Sequence, residues 1–512
     1  MGKNKIEALI FDLDGVVTKT QKLHKEAWKE MFDAYLEDRE GQAPMSDEDY
    51  NIYVDGKPRY QGVKSFLESR GISLPFGNTD DPPEKETACG LGNRKNEIFH
   101  RLVEQGGVEV YQAAVEKIKF WREKGLKTAV VSSSKNCKKI IEHAGIAHLF
   151  DARVDGAVSE ERGLNGKPDP DIFVEAAEEL GVSPENAVVF EDAISGVQAG
   201  QRGFFGLVVG LNRFENAEAL KENGADLIID NFEDFKLFDN PDVQAFFSAN
   251  VPLVFSKDSD LFDRLKEKKP VFFLDYDGTL TPIVSRPEDA VISDEMRKIL
   301  RQLAEVFTVA VVTGRDKEDV ENMIRLDNLI YAGSHGFIIT GPDGLYKEHE
   351  KSEEIVVELD KIEKELEEEL EGKAEGVQLD RKRYAIGLHY RNASEEDVPF
   401  VFELTEKMLK KYKGFKKGEG KKIVEIKPDV DWHKGKAVLW VLEALGVSEK
   451  ENIPVFIGDD VTDEDGFEAL KDKGIGIIVE NRGQETAARY ALKNVFQVGA
   501  FFKKMIDIYS RQ

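Results

Sequence analysis

Cysteine is nearly absent from this chain of 512 residues: Cys89 and Cys137 are the only two. That excludes a disulfide framework and makes a reducing, cytoplasmic compartment the simplest expectation. Long apolar runs are missing as well, none approaching the roughly 20 residues that cross a bilayer. Positive charge is in deficit: Lys+Arg 71 against Asp+Glu 98 leaves −27. Phosphate backbones and anionic lipids recruit Lys/Arg surfaces, so neither nucleic acid nor a membrane is an expected partner. A small phosphate in a local basic pocket stays open. The first short apolar run is interrupted by acids, which is wrong for a secretory signal. Ile6 occupies the place where a myristoylation site wants Ser or Thr. The apolar share is 41%, enough for buried cores and too high for a disordered chain. The length suits about three domains or two larger ones.

A pattern occurs twice. Ala8-Leu9-Ile10-Phe11 runs into Asp12-Leu13-Asp14-Gly15, and Val271-Phe272-Phe273-Leu274 runs into Asp275-Tyr276-Asp277-Gly278. Each run has the length and continuous apolarity of a parallel strand buried on both faces. Further strand-like runs, Lys127 to Ser134, Ala187 to Asp192, Val306 to Gly314 and Val455 to Asp460, end in small polar, Gly or acidic residues. Helical spacing lies between them, as over Gln112 to Lys124 and Asp294 to Val306. The alternation predicts an α/β fold of two doubly wound, Rossmann-like parallel sheets with ligands at the carboxyl ends of the strands. A helix-rich insert over about 16–107 reads as a helical cap. A later one, about 340–422, contains the alternating run Tyr384 to Tyr390 and reads as an αβ cap. The expected organisation is a module over 1–240, a linker over 241–269 and a module over 270–512. Glu353 to Gly372 reads as an amphipathic helix packed by one face, with a partner-binding helix as the alternative.

Two carboxylates two residues apart at the end of a buried strand can share a phosphoryl transfer: one attacks phosphorus, the other protonates the leaving oxygen. An anionic nucleophile facing a phosphate dianion needs neutralisation, which Mg²⁺ and a lysine supply. The first half offers Asp12 and Asp14, then Ser132 at a hydroxyl-rich strand end, Lys167, and Glu191-Asp192 for metal. The second offers Asp275 and Asp277, then Thr313-Gly314-Arg315, Lys434, and Asp459-Asp460 with Asp463. One DxDG alone could be a turn or part of a calcium loop, but the preceding run is strand and the further EF-hand ligands are missing.

With those residues in place, both halves resemble haloacid-dehalogenase-superfamily phosphotransferases. The resemblance implies Asp12 and Asp275 as nucleophiles forming aspartyl-phosphates and Asp14 and Asp277 as acid/base groups. It also implies Mg²⁺ at Asp12, Asp14, Glu191 and Asp192 and at Asp275, Asp277, Asp459 and Asp463, with Ser132, Lys167, Thr313 and Lys434 on phosphoryl oxygens. The second half resembles trehalose-6-phosphate phosphatases through Leu274 to Ile283, Val312 to Arg315, Gly333 to Gly336, His389-Tyr390-Arg391, Val424 to Pro428, Lys434-Gly435 and Gly458 to Asp465. That implies trehalose 6-phosphate as substrate. Glu425 and Lys427 would be sugar contacts, Gly314 and Arg315 would lie beside the phosphate, and His335 and Arg391 at the core–cap seam. Ser334 and His433 depart from the family's usual Asn and Asn/Asp. The first half resembles β-phosphoglucomutases and related phosphatases through Phe11 to Thr18, His24, Gly56 with Arg59, Arg94-Lys95-Asn96, Ser132 to Asn136, Lys167-Pro168 and Glu191-Asp192. There His24, Arg59 and Lys95 would serve the cap, with Arg59 on a distal phosphate. The stretch Gly71 to Gly92 departs from a short mutase cap. Two alternatives stay open: a non-catalytic first module that scaffolds the second, and a second module acting on another sugar phosphate, such as sucrose 6-phosphate. Oligomeric state is not expressed in the sequence.

Overall fold

The computed structural model describes residues 5–511 apart from Asp38, Asp234, Asp258, Ser285 and Lys421. Contacts divide it into two units, Met1–Ala249 and Asn250–Gln512. The first holds six strands, β1 (Ala8–Asp12), β2 (Lys127–Val131), β3 (Ala152–Val154), β4 (Ala187–Glu191), β5 (Leu207–Leu211) and β6 (Leu227–Ile229). They form one sheet in the order β3-β2-β1-β4-β5-β6, every pairing parallel. Every residue of β1 is buried, which is why the run is apolar throughout. The strand order reverses around β1, and such a switch point opens a crevice at the carboxyl ends. Behind that crevice Phe190 stacks on Phe11 at 4.8 Å and on Trp121 at 5.7 Å between ring centroids.

The first insert folds as helices Thr20–Leu36, Arg59–Ser69 and Ala88–Gly106. They share a core of their own built on Trp28, Phe32, Phe66 and Leu91. The long stretch before the third helix is organised by buried Asp81, which accepts from the Asn78 amide at 3.1 Å and the Thr87 hydroxyl at 2.7 Å. Thr87 in turn caps that helix by accepting from the Gly90 amide at 3.0 Å.

The second unit contains β7 (Lys269–Leu274), β8 (Thr308–Val312), β9 (Ile330–Gly333), β10 (Ile338–Thr340), β11 (Tyr346–Glu348), β12 (Gln378–Lys382), β13 (Ala385–His389), β14 (Phe415–Gly420), β15 (Ile423–Pro428), β16 (Asn452–Gly458), β17 (Ile475–Val479) and β18 (Tyr490–Leu492). Eight of them make the core sheet β11-β10-β9-β8-β7-β16-β17-β18, parallel except for antiparallel β9-β10-β11 at one edge. The other four make an antiparallel cap sheet, β12-β13-β15-β14. The cap therefore begins after β11, later than the expected 340, and runs through Pro428, past the expected 422. Helix Ser352–Leu370 buries Ile355, Leu359, Ile362 and Leu366 in the cap core, so its apolar face is used within its own unit. The two units divide within 241–269, between Ala249 and Asn250. Val243 and Phe247 bury into the first unit's core, and Val254, Leu261 and Leu265 into the second's. Apolar side chains spaced along a short segment gain by burial against the nearest sheet. Among the described residues no helix is long and apolar enough to cross a membrane.

Phe190→Ala deletes the middle ring of the first unit's aromatic stack. It lowers that unit's unfolding free energy by about 3–5 kcal/mol, read from urea unfolding; a loss below about 1 kcal/mol contradicts the packing described.

Candidate functional site

Each unit carries a site at the carboxyl end of its central strand, and the two are built alike. At the end of β1, the Lys167 ammonium reaches both Asp12 and Glu191, all three buried. Glu191 also accepts from the backbone amides of Asp192 and Ala193, each at 2.8 Å. Beyond β7, Lys434 donates to Asp275 at 2.7 Å and to Asp463 at 2.6 Å. Asp463 accepts from the amides of Asp459 and Asp460, each at 3.0 Å. In both sites one lysine thus sits between the strand-end aspartate and a second carboxylate locked by two backbone amides.

The next carboxylate has one oxygen without a hydrogen-bond partner among the described residues. Asp192 Oδ2 and Asp459 Oδ1 are buried atoms with no hydrogen bond. A tight turn follows each leading aspartate, the Gly15 amide donating to Thr18 O and the Gly278 amide to Thr281 O, both at 2.8 Å. Both glycines have positive φ, and a Cβ would lie 1.8 Å from Asp192 Oδ2 at Gly15 and 2.1 Å from Asp459 Oδ2 at Gly278. Only glycine permits that turn and that approach.

Crowded carboxylates keep protons. Burial pushes Asp275 up to about 7, opposed by Lys434 and reinforced by Asp463. Burial, then Asp275 and Asp463, pushes Asp459 up to about 8. Burial likewise raises Asp12 well above the carboxyl range against the pull of Lys167, and raises Asp192, with Glu191 adding to it. Asp275, Asp459 and Asp463 place ligand oxygens within 4.8 Å of one another. Orphaned hard oxygens that ionise reluctantly fit a divalent cation, which would supply the missing positive charge. The Glu191 oxygens are already engaged by Lys167 and two amides, so Asp192, not Glu191, is free to face a cation in the first unit.

The second aspartate differs between the sites. Asp14 accepts from Ser132 Oγ at 3.0 Å and from Thr20 Oγ1, with His24 Nε2 at 3.4 Å. Burial alone would raise its carboxyl; His24, Thr20 and Ser132 bring it down to about 2. His24 is itself depressed by burial and then by Lys95, whose ammonium lies 2.5 Å from Nδ1. Both effects favour the neutral imidazole, while Thr20 and Ser132 donate hydroxyls to Asp14. Asp277 instead is held bidentately by Arg315, at 2.7 and 2.6 Å, while Thr313 Oγ1 fixes the Arg315 amide at 3.2 Å.

A cavity of about 260 Å³ adjoins Asp12 and is closed from the cap by Trp28, Asp55, Arg59 and Lys95. Arg59 is steered by Asn96 at 2.8 Å. A cavity of about 230 Å³ adjoins Lys434 and is lined by Gly314, His335, Lys382, Glu425, Lys427 and Trp432. Lys382 donates to Glu425 at 2.9 Å, and against the cost of burial Lys382 and then Lys427 hold that carboxyl below its ordinary value. His335 is pushed down to about 3 by burial, then by Lys434 and Lys427, and is neutral. The residues expected from sequence thus come together with one exception. Arg391 is exposed beyond His389, at the opposite end of β13 from cavity-lining Ala385, because a five-residue strand carries it away from the seam. Lys382, Asp316 and Asp55 were missed; each is a lone charge outside any motif, and only the tertiary fold brings it to a cavity.

Lys434→Met leaves two buried carboxylates unpaired. It costs the metal-free chain about 3–5 kcal/mol at alkaline pH, and less in acid, where Asp275 is protonated. Urea unfolding at two pH values checks both the size and the trend; an equal loss at both contradicts the charge pairing.

Two family models match. Residues 6–203 match the haloacid dehalogenase-like hydrolases and residues 273–495 the trehalose-phosphatases. A β-phosphoglucomutase of Mycobacterium bovis is 47% identical over 44% of this chain and 89% of its own length. A trehalose-phosphate phosphatase of Mycobacterium bovis is 32% identical over 65% of this chain and 85% of its own. An uncharacterised glycosyl hydrolase of Mycobacterium tuberculosis is 34% identical across 98% of this chain, which spans only 38% of that relative's length. The chain belongs to the haloacid dehalogenase-like hydrolases through its first unit and to the trehalose-phosphatases through its second.

Proposed function

We propose that the second unit hydrolyses trehalose 6-phosphate to trehalose and phosphate, and that the first unit transfers a phosphoryl group on a β-glucose phosphate. The observation that carries both readings is the buried lysine held between a strand-end aspartate and an amide-locked carboxylate, beneath a cap that supplies cationic side chains.

In the second unit an Asp275 oxygen attacks phosphorus. The bond to the sugar oxygen breaks, and Asp277 delivers a proton to that oxygen. Water then gives a proton to Asp277 and attacks the aspartyl-phosphate, releasing phosphate and restoring Asp275. Arg315 pairs bidentately with Asp277 in the substrate-free chain, so proton delivery requires that pair to open as Arg315 turns to the incoming phosphate and Asp277 takes a proton from solvent. Thr313 and Lys434 hold phosphoryl oxygens. Glu425 and Lys427 are placed on the cavity wall to bind sugar hydroxyls. Asp275, Asp459 and the Asp277 carbonyl would hold Mg²⁺, which when bound masks charge on the phosphoryl group. In the first unit Asp12, Asp14, Lys167 and Asp192 take the corresponding places, Ser132 stands where Thr313 does, and Arg59 and Lys95 face a second phosphate. The buried thiols of Cys89 and Cys137 suit a reducing cytoplasm.

Asp275→Asn removes phosphate release from trehalose 6-phosphate, and Asp12→Asn removes turnover of β-glucose 1-phosphate, each with folding intact by circular dichroism. Retained phosphate release in the first variant refutes the nucleophile. If the intact chain releases phosphate faster from sucrose 6-phosphate than from trehalose 6-phosphate, the substrate reading fails.

The metal reading has its own test. Asp275 at about 7 and Asp459 at about 8 stand above the ordinary carboxyl value of 3.8, so the folded chain keeps protons that the unfolded chain gives up. Their contribution to metal-free stability is present in acid and is lost as pH rises toward 8. A bound cation must displace those protons. The rise in Tm on adding Mg²⁺ therefore grows between about pH 6 and about pH 8.5. A rise that is flat or shrinks over that range contradicts the site.

A further inference from the structure

The cap segment from Asp55 to Arg59 is gripped by two loops and the first turn of helix Ile194–Arg202 of the first core. Ser133 Oγ donates to Gly56 O at 2.7 Å. Ser195 Oγ donates to Asp55 O at 3.2 Å. Gly166 lies so close that a Cβ there would meet Pro58 Cγ at 2.2 Å. Each gripping residue neighbours a residue of the site: Ser133 follows Ser132, Gly166 precedes Lys167, and Ser195 lies just after Asp192. Gly56 has φ +70°, and a Cβ would sit 2.2 Å from Ser195 Oγ, so the cap approaches this far only through glycine. The acceptors are backbone carbonyls, so the grip reads the path of the cap chain and not its side chains. Hydroxyl–carbonyl bonds of ordinary length can also be broken and remade as the cap opens and closes.

We propose that Ser133 and Ser195 are positioning residues that lock the first cap onto the loops and helix start that border its active site and thereby set where Arg59 stands over Asp12. Neither hydroxyl touches the reacting group; both act through the Asp55–Arg59 segment. With the lock closed, water is kept from the aspartyl-phosphate while the sugar phosphate turns over. The inference rests on reading the first unit as a phosphoryl-transfer site, and its test separates the two.

The experiment uses the full chain with Ser133→Ala and Ser195→Ala combined. Without any substrate, amide hydrogen exchange across residues 55–61 is faster than in the parent chain; unchanged exchange overturns the lock whatever the first unit acts on. With β-glucose 1-phosphate and Mg²⁺, kcat/KM falls by about tenfold. The ratio of free phosphate to glucose 6-phosphate rises, and Ser133→Thr, which keeps a hydroxyl, stays near the parent ratio. Faster exchange with an unchanged ratio and unchanged kcat/KM overturns the positioning role. If the parent chain turns over no glucose phosphate, the reading of the first unit fails while the exchange result still decides the lock. An unchanged Tm and unchanged phosphate release from trehalose 6-phosphate establish that the variant is folded.

Discussion

A lysine ammonium buried between two carboxylates is the interaction on which each unit's site depends. Lys167 and Lys434 are almost fully buried, as are the acids they join. Removing such groups from water is costly, and the arrangement survives because every charge has a partner or a backbone amide. It is still short of positive charge. One lysine faces two carboxylates, and a third, Asp192 or Asp459, stands nearby with an unpaired oxygen. That deficit keeps Asp275 and Asp459 protonated toward neutral pH and gives a cation its purchase. The strand supplies rigidity: an aspartate at the end of a buried strand is held in place.

Around this common centre the two units diverge in how they treat the second aspartate and the cap. Asp14 is held by hydroxyls and the His24 imidazole, and its cap adds Arg59 and Lys95. Asp277 is clamped bidentately by Arg315. The first cap is held through its carbonyls by core serines. The second is held in the opposite polarity: core Asp316 accepts from the cap amide of Arg383 at 2.9 Å while Ser334 donates to the same carboxylate at 2.7 Å. Both contacts address cap backbone, so the cap's side chains stay available to line the cavity.

What could be read in the sequence was what lies on strands and their ends. Uninterrupted apolar runs predicted β1 and β7, and the helix expected over Asp294 to Val306 forms over those residues with Ser293 as its cap. The motif aspartates and lysines meet as expected because the parallel sheet brings every strand's carboxyl end to one edge. Residues off that edge were not legible. Arg391 shares a motif with His389 but lies past the far end of β13. The segment over 241–269 carries no regular spacing of apolar residues, yet Val243, Phe247, Val254, Leu261 and Leu265 each reach a core. The second cap's reach through Pro428 was obscured because Glu425 and Lys427 look the same on an edge strand as on a cavity wall.

The late acids make the physical point most sharply. In the first unit the lysine's partner Glu191 immediately precedes the orphaned Asp192; in the second the partner Asp463 follows the orphaned Asp459 by a short 3₁₀ turn, Val461–Asp463. Two backbone routes, one along a strand end and one folding back through a turn, deliver the same charge arrangement: an amide-locked carboxylate on the lysine and a free one beside the leading aspartate. Spacing along the chain is therefore not what the chemistry requires. It requires two oxygens at set positions relative to the strand end, and any local backbone that reaches them serves. A linear motif read as a pair of interchangeable acids merges two arrangements that the fold keeps apart: one acid anchors the lysine, and the other keeps an oxygen without a hydrogen bond among the described residues.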